Sequence, residues 1–293
     1  MLGSNIILGT AQVGLPYGIK NSFGKPKIGE VKELLDFAFD KGITTLDTAA
    51  AYGSSEEVLG LCGIDRWSVI TKLSSMKEIE KKDLSKTIRK NLLISFERLK
   101  VSSLYGVLAH DHRDLEGERG RYFLEALEPF LSSGAINKIG VSVYAPGDLQ
   151  NIVTTERKIV QFPLNIFDQR FVRSHALSKL ILEGSELHAR SVFLQGLLLI
   201  PQAERPQAFH KWKHHFKKFD LVIENSGTDA LSFCLNYALS QSELSKIVIG
   251  VDTISQLDNI LDVQTKRYHA KRAYEDLQSN SLSLIDPRKW SLQ

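Results

Sequence analysis

The chain has 293 residues, of which 43% are hydrophobic and 24% are charged. These are ordinary globular values, so a sizeable core is available and disorder is not expected. The formal net charge of +3 is spread thinly and favours neither nucleic acid nor an anionic membrane surface, so we predict neither as a partner. No apolar run approaches the roughly 20 residues of a membrane span, and the N-terminus MLGSNIILGT lacks signal-peptide features, which predicts a cytoplasmic protein.

The two cysteines, Cys62 and Cys234, lie in apolar stretches with a helical pattern, and their positions show no metal-ligand spacing. Free cysteine in such surroundings usually behaves as a small hydrophobic side chain. We therefore predict a structural role for both and no metal centre.

Short β-rich runs alternate with longer helical patterns along the whole chain. We count eight of each, and the strand-like runs are NIILGT from Asn5, TTLDTA from Thr44, SVITKL from Ser68, SLYGVLAH from Ser103, KIGVSV from Lys138, IVQFPL from Ile159, LHARSV from Leu187 and KIVIGV from Lys246. In the first helical stretch Val31, Leu34, Leu35 and Ala38 form one face, and Gly42 ends the helix. Eight such units, with no G-x-G-x-x-G after the first strand, predict an α/β fold: a closed (β/α)8 TIM barrel as a single domain over residues 1–293.

Two regions interrupt the regular alternation. A loop rich in Gly, Pro and Asn spans residues 12–28, after the first strand. Residues 199–228 form a long loop after strand 7, which is typical of a lid or a binding loop. Its basic run at 210–218 is either a solvated helix face or a contact for an anionic substrate such as a sugar phosphate. After the eighth unit, residues 267–293 are predicted to form a C-terminal helix and a tail ending in IDPRKW.

Polar side chains mark the C-terminal ends of the predicted strands. These positions are Thr10, Asp47, Lys72, His110, Ser142, Gln161 and Ser191, with Gly250 ending the eighth strand. In a barrel they converge on one mouth, where the catalytic groups of this architecture lie. The four titratable groups Asp47, Tyr52, Lys72 and His110 would be costly to bury unpaired, so a shared site is the simpler explanation.

The chemistry that these four groups predict is proton transfer by a phenol. Free tyrosine has a pKa of roughly 10, and the ammonium group of Lys72 would stabilise the phenolate of Tyr52. Asp47 would keep Lys72 charged and oriented, and His110 could bind the same substrate oxygen as it gains charge. The set suits reduction of a carbonyl group by an external hydride donor.

Along nearly its whole length the chain resembles the aldo-keto reductase superfamily. The family's D-T-A motif followed by a tyrosine is matched by Asp47 and Tyr52, its lysine closing the next strand by Lys72, and its histidine closing the fourth strand by His110. The resemblance implies a reversible, NAD(P)H-dependent reduction of aldehydes or ketones to alcohols, with these four residues as the catalytic set.

The resemblance also implies where NADPH or NADH would bind. Ser142 and Gln161 would hold the nicotinamide carboxamide, and Arg190 would stack on the nicotinamide ring. The segment IVIGVDTISQLDNIL resembles the one that holds the adenosine end. The implied cofactor residues are Gly9, Thr10, Asp47, Ser142, Gln161, Arg190, Ser191, Phe193, Leu194, Gly196, Gly250, Val251, Asp252, Thr253, Gln256 and Asn259.

Several positions depart from the family pattern. Val143 stands where an asparagine is usual, and the first strand begins almost at Met1, which leaves no counterpart for the N-terminal hairpin that plugs the barrel floor. Alternatives to His110 as the catalytic residue are His112, Arg113 and Asp114, which lie nearby. The family pattern places the catalytic histidine at the strand end, which favours His110. The ending IDPRKW is similar to that of reductase-like proteins among polysaccharide-biosynthesis enzymes, which suggests a sugar or a sugar derivative as substrate; its arginine could also simply pin the tail to the barrel.

The eighth-strand segment bears on the choice of cofactor. NADPH-selective family members grip the 2′-phosphate with basic side chains there, whereas this segment offers the carboxylate of Asp252 and no cation. Asp252 would repel the phosphate and accept a ribose 2′-hydroxyl, or it would only cap the following helix. Lys266, Arg267 or the long loop could supply a cation instead. We predict weak NADPH selectivity.

Two other functions stay open at this stage. Lys72 could form a Schiff base, as in a lyase or an aldolase, although Asp47 would hold its amine protonated. The chain could also be a non-catalytic regulatory subunit that binds nicotinamide nucleotides, for which an intact tetrad is not needed. The sequence identifies neither the substrate nor the oligomeric state.

Overall fold

The chain folds into a closed barrel of eight parallel strands. The computed structural model describes residues 2–19, 21, 24–153, 155, 158–263 and 271–290. The strands are β1 Ile6–Gly9, β2 Thr45–Asp47, β3 Ser68–Leu73, β4 Leu104–Ala109, β5 Ile136–Ser142, β6 Lys158–Pro163, β7 Glu186–Arg190 and β8 Lys246–Gly250. Each strand pairs with the next in the chain, and β8 pairs with β1 from Ile6 opposite Ile247 to Gly9 opposite Gly250. The predicted (β/α)8 barrel is confirmed.

Helices surround the barrel. They are α1 Ala11–Gly14, α2 Ile28–Asp40, α3 Ser55–Cys62, α4 Lys81–Leu99, α5 Gly117–Ser132, α6 His175–Leu182, α7 Lys213–Ser226, α8 Ala230–Leu239, α9 Ile254–Leu261, α10 Lys271–Glu275 and α11 Leu282–Ile285. Among the described residues, no helix is both long and apolar enough to cross a bilayer.

The connection between β5 and β6 departs from the expectation of a helix after every strand. Its described residues contain only the 3₁₀ helix Pro146–Leu149. Gly147 disfavours helix propagation, and Ile152 pairs instead with Glu116 in an isolated antiparallel bridge. The described part of this crossover therefore contains no α-helix.

The core has two layers. Inside the barrel Ile7, Ile70, Leu108 and Ile159 pack together, each fully buried. A larger layer lies between the strands and the helices, and it includes the predicted inner face of α2, whose four residues are all buried. Gly42 follows this helix with a φ of 86°, a backbone conformation that favours glycine.

The long connection after β7 is largely helical. Residues 199–228 include the 3₁₀ helices Gln202–Glu204 and Gln207–Trp212 and then α7. On α7, Phe216 and Phe219 pack edge-on against Phe167, while the lysines of the basic run are exposed. Of the two interpretations of this run, the exposed lysines favour the solvated helix face.

The C-terminal segment returns to the mouth of the barrel. Its described part holds α10, α11 and the 3₁₀ helix Pro287–Lys289, whereas residues 267–270 and 291–293 of the predicted tail lie outside the described residues. Arg288 reaches the cavity at the mouth. The tail therefore contributes a side chain to the site.

Candidate active site

The four predicted catalytic side chains meet at the mouth of the barrel. The Nζ atom of Lys72 donates to Asp47 Oδ2 at 2.5 Å and lies 3.4 Å from the hydroxyl oxygen of Tyr52. The rings of Tyr52 and His110 are in edge-to-face contact, with their centroids 5.8 Å apart. The structure thus brings together the residues that three strands and one loop contribute.

The backbone around Tyr52 is fixed by close packing. A Cβ added at Gly14, the last residue of α1, would lie 1.7 Å from the carbonyl oxygen of Tyr52, so only glycine allows this contact. Thr10 donates both its amide N–H and its hydroxyl to the carbonyl oxygen of Asp47, each at 3.0 Å. The first βα connection therefore holds both ends of the segment that carries Asp47 and Tyr52.

The phenol of Tyr52 is held in its protonated form. Burial and the carboxylate of Asp47 raise the pKa of Tyr52 well above its ordinary value. Burial also lowers the pKa of Lys72, against the opposing effect of Asp47. The expectation that nearby positive charge would lower the pKa of Tyr52 is not met, because burial and the carboxylate of Asp47 outweigh it. The proton that a reduction needs is already on the phenol.

His110 is neutral at physiological pH. Burial, followed by the nearby charges of Lys72 and Arg190, lowers its pKa to about 4. A neutral imidazole can donate one hydrogen bond to a carbonyl oxygen without competing as an acid. His110 is therefore suited to orienting a substrate oxygen beside the phenol.

A cavity of about 870 Å³ opens above these residues, within the range for cofactor and ligand sites. Tyr52 and His110 lie at its wall, and the loops after β1 and β7 meet where the amide of Ile19 donates to the carbonyl oxygen of Gln195 at 3.2 Å. Thirteen of the predicted cofactor residues line it: Gly9, Thr10, Asp47, Ser142, Arg190, Ser191, Phe193, Gly196, Gly250, Val251, Asp252, Gln256 and Asn259.

Comparison with protein families decides what kind of protein this is. The profile of the aldo/keto reductase family matches residues 5–275, which is most of the chain. The chain belongs to the aldo/keto reductase family. Comparison with curated proteins gave no significant match.

Two similar solved structures share the fold of this aldo/keto reductase. The glycerol dehydrogenase AKR11B4 from Gluconobacter oxydans is 21% identical, with a TM-score of 0.71 over 97% of this chain and 92% of that one. The holo form of the aldo-keto reductase AKR11C1 from Bacillus halodurans is 16% identical, with a TM-score of 0.74 over 97% and 95%. Identities this low establish the barrel and no finer property.

Three predicted cofactor residues lie behind the cavity wall or beside it. Leu194 is fully buried, and Thr253 caps α9, where its hydroxyl accepts from the amide of Gln256 at 3.2 Å. The alternative in which Asp252 caps this helix is therefore wrong. Gln161 is fully buried and donates Nε2 to Asp47 Oδ1 at 2.8 Å.

The amide of Gln161 tests whether a nicotinamide fits this aldo/keto reductase. Its Nε2 must face the carboxylate of Asp47, which leaves Oε1 buried and without a hydrogen-bond partner among the described residues. Ser142 lies opposite Gln161 in the pairing of β5 with β6 and lines the cavity. A carboxamide both donates and accepts hydrogen bonds. It could donate to Oε1 of Gln161 and accept from the hydroxyl of Ser142, so these two residues fit a nicotinamide.

The sequence did not identify a stack of side chains at the opening. The guanidinium of Arg190 lies 4.2 Å from the ring centre of Tyr144, and that of Arg288 lies 3.4 Å from it. Two guanidinium groups, one from β7 and one from the tail, therefore contact the same aromatic ring. Tyr17 also lines the cavity, and no pattern in the sequence singled it out.

The basic run after β7 does not line the cavity at the mouth of the barrel. Within the described part of the chain, the cavity lining includes none of Lys211, Lys213, His214, His215, Lys217 and Lys218. His215 packs edge-on against Phe167, and Lys218 donates to the carbonyl oxygen of Asp276. Nor do the described residues contain a group of three His, Cys, Asp or Glu side chains that could hold a metal ion.

Proposed function

We propose that the protein is an NAD(P)H-dependent carbonyl reductase that converts an aldehyde or a ketone to an alcohol, and the reverse. The observation that carries this proposal is the phenol of Tyr52 at the cavity wall, with its oxygen 3.4 Å from the Nζ atom of Lys72. The nicotinamide, when bound, supplies the hydride to the carbonyl carbon. Tyr52 gives its proton to the oxygen as negative charge develops there.

The other three residues prepare this proton transfer. Lys72 stabilises the phenolate that Tyr52 becomes, and Asp47 holds Lys72 in place. His110, neutral and on the same wall, orients the substrate oxygen toward the phenol.

The proposed cofactor site has support along the whole cavity. Gly9, Ser142, Arg190 and Gly250 line it at the ends of four different strands, together with the segment after β8. Similarity to a structure described as a holo form agrees with this assignment. We extend the proposal to a sugar or a sugar derivative as substrate, as the C-terminal ending of the chain suggests.

The two alternative functions receive less support. Lys72 is fully buried and its amine is bound to a carboxylate, so it is poorly placed to attack a carbonyl carbon. A regulatory subunit would need the nucleotide site but not the phenol and imidazole that face the same cavity.

Fluorescence of reduced nicotinamide, followed by turnover with a panel of small aldehydes, tests the proposal. We expect saturable changes in NADPH or NADH fluorescence and oxidation of the cofactor only when an aldehyde is added. Binding without turnover of any aldehyde or ketone would support the regulatory subunit. A borohydride-trapped adduct on Lys72 would support the lyase.

A further inference from the structure

A second cavity, of about 600 Å³, adjoins the proposed reaction centre. It shares His110, Ser142, Tyr144 and Arg288 with the first cavity and extends over the loops after β3, β4 and β5 and under the tail. A substrate whose carbonyl group lies between Tyr52 and His110 would have room there for the rest of its structure.

Three pairs of residues with the same geometry surround this second cavity. They are Asp111 with Arg113, Asp168 with Arg170, and Asp286 with Arg288. In each pair the arginine Nε and Nη2 atoms donate to the two carboxylate oxygens of the aspartate two positions earlier, at 2.8 and 2.5 Å, 2.8 and 2.7 Å, and 2.9 and 2.6 Å. The backbone N–H of each arginine also donates to that carboxylate. We refer to these pairs as the Asp-x-Arg clasps.

The clasps fix each guanidinium group through its Nε and Nη2 atoms, and Nη2 of Arg170 also donates to the carbonyl oxygen of Tyr144 at 2.9 Å. Arg113, Arg170 and Arg288 all line the second cavity, and the Nη1 atom of each makes no hydrogen bond to a described residue. Because the carboxylate locks one edge, a ligand that binds the other edge costs little side-chain entropy. Three separate segments, after β4, after β6 and in the tail, thus supply oriented donors to one space.

The charges around this cavity balance. Apart from the imidazoles of His110 and His112, the charged lining residues are Arg113, Arg170, Arg288 and Lys289 against Asp111, Asp148 and Asp286. The buried carboxylate of Asp168, behind the cavity wall, neutralises Arg170. A phosphate or a carboxylate would meet aspartates as well as arginines, so the site does not favour an anion. A hydroxyl group donates to a carboxylate and accepts from a guanidinium, so it satisfies both members of the two clasps whose aspartates, Asp111 and Asp286, line the cavity.

We infer that the second cavity binds an uncharged, polyhydroxylated part of the substrate, such as a glycosyl or polyol unit, through the three clasps. The ring of Tyr144, which lines both cavities, adds an apolar surface of the kind that sugar C–H groups contact. The inference rests on the proposed function for the identity of the reacting end, and on the clasps for the rest of the ligand.

Binding of glycosides that have no free carbonyl group tests this inference separately from reduction. We would screen methyl glycosides and non-reducing disaccharides against the purified full chain by saturation-transfer NMR, beside the matching sugar phosphates and uronic acids. Dissociation constants would follow from calorimetry. We expect neutral glycosides to bind, and to bind more tightly than their anionic counterparts.

Variants identify the groups responsible. Arg113→Met and Arg288→Met should each weaken glycoside binding by at least tenfold. The matched control is Arg66→Met, because Arg66 also pairs with an aspartate, Asp36, but precedes β3 at the opposite end of the barrel; it should bind glycosides as the wild type does. The side chains of Arg113 and Arg288 are more than half exposed, so replacing either should not unfold the chain.

The outcomes separate this inference from the proposed function. Glycoside binding by a wild-type protein that reduces no aldehyde or ketone would leave the inference standing and overturn the reductase. Reduction of small aldehydes without binding of any neutral glycoside would overturn the inference alone. Preferential binding of the anionic sugars, or affinities that neither clasp variant changes, would also overturn it.

Discussion

Lys72 and Asp47 form an ion pair from which water is almost completely excluded. Their Nζ and Oδ2 atoms are 2.5 Å apart, and the two side chains are 0% and 3% exposed. Gln161 holds the other carboxylate oxygen. In such a place the cost of removing one charge exceeds what the pair itself contributes, because the remaining charge stays buried.

The first prediction concerns this pair. Lys72→Met and Asp47→Asn should each lower the free energy of unfolding by roughly 3–5 kcal/mol, whereas the double variant should lose clearly less than the sum because it leaves no unpaired charge. Urea denaturation of the four proteins measures the coupling. Additive losses would show that the two side chains are solvated independently.

The second prediction concerns the proton donor. Tyr52→Phe should reduce kcat/KM for an aldehyde by about a hundredfold or more, the contribution typical of a general acid. Cofactor affinity, followed by nicotinamide fluorescence, should be unchanged because only a hydroxyl is removed. Activity within about tenfold of the wild type, a loss of only about 1.4 kcal/mol in barrier, would contradict the assignment.

The third prediction is the protonation state of His110. Because burial and the charges of Lys72 and Arg190 lower its pKa to about 4, the folded protein should keep this imidazole neutral down to about pH 5. The unfolded chain, with an ordinary histidine pKa, binds the proton more readily. The linked stability is therefore present at neutral pH and is lost as the pH falls toward 4. NMR titration of the ring, assigned with His110→Asn, gives the midpoint; a value near 6.5 would refute the argument.

Much of the fold could be predicted because its signals are local. The strands are short apolar runs whose carboxyl ends carry polar residues, and that pattern located Asp47, Lys72 and His110 on one rim. The face of α2 followed from helical periodicity alone. The fifth connection was harder to predict, since a bridge between Ile152 and Glu116 competes there with helix formation.

The parts that could not be predicted depend on contacts between distant segments. Arg288 enters the site because the tail crosses the mouth, and the contact of Arg190 and Arg288 with one ring, that of Tyr144, joins three segments that are distant in the chain. Whether the pKa of Tyr52 is raised or lowered depends on how deeply the phenol is buried, and the spacing of residues along the chain does not encode that depth. The Asp-x-Arg repeats at 111–113, 168–170 and 286–288 are visible in the sequence, but their convergence requires the barrel.

The fourth prediction concerns the opposite end of the barrel. Glu186, at the start of β7, accepts from Tyr105 and His188 at 2.7 Å each and pairs with Lys138. Although burial alone would raise it, these bonds lower the pKa of Glu186 to about 2. A shift of this size corresponds to about 3 kcal/mol.

That stability should be fully present above the ordinary glutamate pKa and should disappear as the pH falls through about 2. Glu186→Gln should therefore unfold more easily at pH 7 and show a flatter dependence of stability on pH between 5 and 2. Glu97→Gln, on the surface of α4, is the control. Parallel pH profiles for Glu186→Gln and wild type would contradict the prediction.

The last prediction concerns the choice between NADPH and NADH. In the part of the cavity formed by the segment after β8, Asp252 is the charged group, and its Oδ1 accepts from the Nδ2 atom of Asn21 at 3.3 Å. A carboxylate there repels the doubly charged 2′-phosphate and can accept a hydrogen bond from a ribose 2′-hydroxyl. Since Thr253 caps α9, capping does not account for Asp252.

We therefore expect NADH to bind comparably to NADPH or more tightly, and Asp252→Arg to strengthen NADPH binding by at least tenfold while changing NADH binding less. Fluorescence titration of both cofactors gives the four dissociation constants. Asp258→Arg is the matched control, because Asp258 lies on α9 and pairs with Lys41 outside the cavity; reversing its charge should leave the ratio of affinities unchanged. A wild type that prefers NADPH by more than about a hundredfold, roughly 2.7 kcal/mol, would mean that the 2′-phosphate is held by other cations and that Asp252 faces away from it.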